Sequence, residues 1–114
     1  QAQPGEPSEV IRERVIKARH IQEERFKDIK GIYCNAQMTE RMIHQYAEPD
    51  EAGINLLRMA MERLNLSARA YNRILKVART IADLDASESV RSNHLAEAIS
   101  YRNLDRSDWA ERGI

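Results

Sequence analysis

The run Ser67-Ala68-Arg69-Ala70-Tyr71-Asn72-Arg73-Ile74-Leu75-Lys76-Val77-Ala78-Arg79-Thr80-Ile81-Ala82-Asp83-Leu84 decides the fold class. Ala70, Ile74, Val77, Ile81 and Leu84 recur at spacings of 4, 3, 4 and 3, the period of an amphipathic helix and not of a strand. Ser67 stands where an N-cap belongs, and the cluster Asp85-Ala86-Ser87-Glu88-Ser89 ends the helix. Beside the apolar stripe, Arg69, Arg73 and Lys76 share one helical face.

Outward from that helix the chain reads as more helices. Ser8 is the expected N-cap of a first helix that runs without Gly or Pro to Lys30, with Gly31 as its C′ residue. Ile11, Val15, Ala18, Phe26 and Ile29 form its predicted buried stripe, which Gln22 interrupts. Residues 31–38 read as a connection. Thr39 caps a short helix over 40–47, and Pro49 suits the first turn of the next, whose stripe is Ile54, Leu57, Ala60, Met61 and Leu64. Val90-Arg91 reads as an extended link. Ser92 is the expected cap of a last helix that turns Leu95, Ala98 and Ile99 inward. The fold class is therefore all-α: a small bundle of four to five helices packed around the 68–85 segment.

Composition agrees with that class and excludes others. The chain has 114 residues, the length of one domain. Four Gly, three Pro and 5% aromatics are too few for a sandwich or barrel. Eighteen Lys and Arg balance eighteen Asp and Glu, which argues against a protein that coats DNA by bulk charge. No apolar run is long enough for a membrane span and no signal segment opens the chain, so the expectation is a cytoplasmic protein. Residues 1–7 read as a linker or disordered end, 8–106 as the helical domain and 107–114 as a tail. The loose start at Gln1, without Met, reads as that of an excised domain.

Few residues carry recognisable chemistry. No Lys lies in a phosphate loop, and neither G-x-G-x-x-G nor G-x-S-x-G occurs. His20 and Glu23, like His94 and Glu97, form His-x-x-Glu pairs, but no inward Glu accompanies them, so no metal site is expected. Cys34 has no nearby His and reads as an inert thiol. Charge at the ends of the 68–84 helix is more informative. Arg69 in the first turn opposes the helix dipole, and Asp83 and Asp85 are equally misplaced at the other end. The plain reading is solvated charge. The alternative is an Arg69 that reaches an anion outside the domain, above free helix N–H groups.

Ser67 through Leu84, followed by His94-Leu95-Ala96-Glu97-Ala98-Ile99-Ser100-Tyr101-Arg102, resembles the C-terminal domain of the bacterial magnesium-chelatase-like AAA+ ATPases. Val10-Ile11-Arg12-Glu13-Arg14-Val15, with Ala18-Arg19 and Gln22, fits the same pattern, so the resemblance spans about residues 8–106. The run from Ala78 to Leu84 is specific, whereas 31–50 is not distinctive. The resemblance implies an AAA+ helical lid whose first-turn Arg69 is the sensor-2 residue for ATP. It implies a parent with a P-loop domain, ATP and Mg²⁺, neighbouring subunits of a hexamer, and work on DNA, since the family includes a competence protein. Arg73 lies one turn and Arg79 nearly three turns beyond Arg69, out of reach of the same phosphate. Arg73, Lys76 and Arg79 are therefore candidates for contacts to the P-loop domain or another subunit, against a plain reading as a solvated basic face. The P-loop, the acidic Mg²⁺ motif and the arginine finger are absent from this sequence, so the piece alone is expected to be no enzyme. Two other functions compete: a stand-alone helical module for protein partners, and a DNA-binding domain using Arg69, Arg73, Lys76 and Arg79.

Overall fold

In a computed structural model, residues 8–101 are described, and they form an all-α domain. The order is α1 (Ser8–Phe26), a 3-10 turn (Asn35–Gln37), α2 (Glu40–Tyr46), α3 (Glu51–Leu64) and α4 (Ala68–Leu84). A fifth helix, α5, is described over residues 92–101. The expected linker 1–7, the last residues of the expected domain, 102–106, and the tail 107–114 lie outside the described residues.

α4 is the central element, and α1, the 3-10 turn and α2 all pack on it. Its buried surface is broader than the sequence stripe. Ala70, Ile74, Leu75, Ala78, Arg79, Ala82 and Asp83 are buried, whereas Val77, Ile81 and Leu84 are half-buried. A helix covered from several sides needs more than one apolar face. Phe26, Ile43, Leu57, Val90 and Leu95 complete the core around it, with Phe26 edge-on to Tyr46 at a ring separation of 5.7 Å.

Helix ends follow local chemistry, with corrections to the sequence reading. Thr39 and Ser67 cap as expected, accepting from the Met42 and Ala70 N–H groups at 3.3 and 3.2 Å. α1 already contains Ser8, and it stops at Phe26 rather than Lys30. Two tight turns follow, Ile29 N–H to Phe26 C=O at 2.9 Å and Ile32 N–H to Ile29 C=O at 3.3 Å. They fold Ile29 and Ile32 back onto the core, which a continuing helix would carry away. Gly31 sits in these turns at φ +87°, a conformation that suits glycine. The predicted α1 stripe holds only in its second half. Ala18 and Phe26 are buried, Ile11 is half-buried and Val15 is exposed.

Pro49 lies before α3, not in its first turn. Asp50 is the N-cap, its carboxylate accepting from Gly53 N–H at 2.8 Å. Pro49 instead forms an isolated parallel bridge with Val90, the extended link expected there. The α5 cap is also displaced by one residue. Arg91, not Ser92, offers its carbonyl to the His94 and Leu95 N–H groups, and its own N–H donates to His94 Nδ1 at 2.9 Å. Imidazole at the third helical position thus plays the part that Glu or Gln plays in a capping box.

Candidate basic groove on the central helix

The fold places Arg69, Arg73 and Lys76 along one groove of about 760 Å³. Their spacing of i, i+4 and i+7 keeps them on one side of α4. The facing wall is Ala36 and Met38 from the 3-10 segment, with Glu40 and Ile43 from α2; Asn72, Val77 and Thr80 complete the α4 side. Lys76 Nζ donates to the Ala36 carbonyl at 3.1 Å and so bridges the two walls. Thr80 Oγ1 donates back to the Lys76 carbonyl at 3.1 Å. Arg69, the second residue of α4, is exposed. It takes part in none of the ion pairs among the described residues. The segment 31–50, without distinctive sequence, supplies one whole wall of the groove.

Arg79 does not belong to that surface. Its residue is 4% exposed, which removes it from the candidates for contacts to another domain or subunit. Nη1 donates to the carbonyls of Tyr46 and Glu88 at 3.1 and 2.9 Å, and Nη2 to that of Ser87 at 2.6 Å. It therefore satisfies the last carbonyl of α2 and fixes the turn after α4. Burial lowers its pKa, which the Asp83 carboxylate, 3.0 Å away, opposes; Arg25 adds to the lowering. Arg79 Nε is buried without a partner.

Asp83 is equally internal, not a solvated charge at a helix end. It binds Arg25 through both oxygens at 2.8 and 2.9 Å and accepts from Asn35 Nδ2 at 2.9 Å. Asn35 in turn accepts from Arg25 at 2.9 Å, and its backbone N–H donates to Gln22 Oε1 at 2.9 Å. Gln22, which breaks the apolar stripe of α1, thus secures the 3-10 turn behind the groove. Sequence reasoning missed this cluster. The available signals were the polar pair Gln22 and Arg25 on a buried face and the i, i+4 pair of Arg79 and Asp83. Asp85, the other misplaced anion, accepts from buried His94 Nε2 at 3.0 Å. The His94 ring accepts from Arg91 through Nδ1, so Nε2 carries the proton in that bond.

The two His-x-x-Glu pairs differ. His20 meets Glu23 at 3.2 Å on the surface, whereas Glu97 accepts from Tyr101 Oη instead of facing His94. Among the described residues no three His, Cys, Asp or Glu side chains converge as a metal site would require. Cys34 is exposed. No helix among the described residues is long and apolar enough to cross a membrane.

The sequence profile of the family described as "Magnesium chelatase, subunit ChlI C-terminal" matches residues 5–102, most of the chain and every element of the groove. The chain belongs to this family. Among the relatives of this magnesium chelatase C-terminal domain is the competence protein ComM of Haemophilus influenzae. It is 42% identical over 102 residues, which make up 90% of this chain and 19% of ComM. The protein YifB of Escherichia coli is 40% identical over 103 residues, again 90% of this chain and 19% of the relative. A protein of Mycobacterium tuberculosis is 33% identical over 101 residues, 89% of this chain and 20% of the relative. The domain thus spans about a fifth of the length of the curated relatives it matches.

Proposed function

We propose that this domain is the lid of an AAA+ ATPase and that Arg69 is its sensor-2 residue, reaching the terminal phosphate of ATP. The nucleotide and its Mg²⁺ are held by a P-loop domain elsewhere in the parent chain. The placing of Arg69 carries the reading. It stands in the first turn of α4, beside helix N–H groups, on a groove that Arg73 and Lys76 share. A guanidinium there works against the helix dipole, so its favourable partner is an anion from outside the domain.

Negative charge is redistributed over the transferred phosphoryl group during ATP hydrolysis. A cation fixed beside that group lowers the barrier without further reorganisation. Loss of the terminal phosphate removes a lid contact, so the lid's angle follows the nucleotide state. The domain's own residues include no P-loop, and turnover belongs to the parent. The likeness to a protein named for competence is what supports a parent that acts on DNA. A hexamer in the cytoplasm, with this domain against the P-loop domain and a neighbouring subunit, belongs to the same proposal and follows from the lid reading alone.

The test is ATP turnover by the full-length protein carrying this domain. Arg69→Ala is expected to lower kcat by about 10²-fold, the usual scale for losing one charge-stabilising donor, with Arg69→Lys intermediate. Turnover unchanged by Arg69→Ala overturns the assignment.

A further inference from the structure

We propose that the groove binds the polyphosphate of a nucleoside triphosphate as a whole, with Arg73 and Lys76 contacting phosphates that Arg69 does not reach. This deepens the lid reading and rests on it for the identity of the anion. In the sequence, Arg73 and Lys76 are candidates for contacts to the P-loop domain or another subunit, against a plain reading as a solvated basic face. The fold instead lines one groove with all three cations. From residue 69 to residue 76 the helix rises about 10 Å, a longer cationic row than a single phosphate needs.

The Lys76–Ala36 bond crosses from one wall to the other and interrupts the groove at that point, which favours a short polyanion over a continuous strand. Glu40 on the facing wall repels any anion that lies against it, so phosphates keep to the α4 side. Opposite the cations, Met38 and Ile43 on the facing wall are buried and apolar. An apolar wall lowers the local dielectric and strengthens each cation–phosphate contact. Lys76 then has two duties: it holds the 3-10 wall in place and presents its remaining N–H donors to the groove.

The experiment is a titration of the 114-residue chain, followed through its backbone amide NMR signals. ATP and inorganic tripolyphosphate are expected to shift residues 67–77 and 36–43, with affinity falling from tripolyphosphate to pyrophosphate and AMP showing no comparable shift. Arg73→Ala is expected to weaken tripolyphosphate binding by about tenfold, with Arg73→Lys restoring part of it; a tenfold change is one such contact's worth of affinity. Absence of tripolyphosphate shifts in the groove overturns the inference, as does an Arg73→Ala chain that binds as before. A single-stranded oligonucleotide that binds the groove more tightly than ATP, with strong salt dependence, also overturns it in favour of strand binding. The two readings fail separately. A chain that ignores tripolyphosphate while Arg69→Ala abolishes turnover in the parent loses only this inference. A chain that binds while Arg69→Ala leaves turnover intact loses the lid assignment and with it the identity of the anion, and keeps only a polyphosphate-binding groove.

Discussion

Arg69 and Asp83 lie on the same helix and are both set against its dipole, yet their environments give them opposite roles. Asp83 is 1% exposed and answers two guanidiniums and an amide, so its charge is internal to the fold. Removing it leaves Arg25 and Arg79 without their carboxylate. Asp83→Ala is expected to cost about 3–5 kcal/mol in urea denaturation, the range for breaking a buried pair. A loss near zero would show that the cluster is solvated. Arg69 predicts the reverse. It is exposed at an end where a cation is unfavourable, so Arg69→Ala should leave stability unchanged or raise it by a few tenths of a kcal/mol. Thermal unfolding of the two variants side by side separates a charge the fold needs from one it does not.

Helix ends in this chain are decided by side chains as much as by glycine. Ser67→Ala removes the acceptor for Ala70 N–H and is expected to cost about 1 kcal/mol. α4 ends with Ala86 at φ +54°, a left-handed position occupied without glycine. Ala86→Gly should relieve that strain and stabilise the domain by about 1 kcal/mol, measurable as a raised Tm. Destabilisation instead would mean that the Ala86 methyl group packs. The central helix was legible from its stripe because Ala70 and Ile74 keep strict helical spacing and Ser67 marks the start. The end of α1 was not, because no local residue stops the helix at Phe26. The stop comes from burying Ile29 and Ile32, a tertiary gain that periodicity does not display. Likewise Arg69, Arg73 and Lys76 could be placed on one face from spacing. Their groove could not, because its other wall comes from 36–43, which has no motif.

At the scale of the molecule, α4 organises both stability and the site. Its inner face carries the core and the Arg25–Asp83–Arg79 cluster, and its outer face carries the three groove cations. Because Asn35 and Lys76 hold the 3-10 wall, the groove is a property of the folded domain and not of one helix. Membership of the magnesium chelatase C-terminal family establishes what this domain is, and its span of about a fifth of its relatives sets the work of the remainder apart. The most direct test of the proposed lid role is the affinity of the full-length protein for ATP and for ADP, with and without Arg69→Ala. If Arg69 meets the terminal phosphate, the substitution weakens ATP binding by about tenfold or more and leaves ADP binding nearly unchanged, so the discrimination collapses. If both affinities stay as they were, or both fall equally, Arg69 does not sense the terminal phosphate and the account of the groove as a nucleotide lid is contradicted.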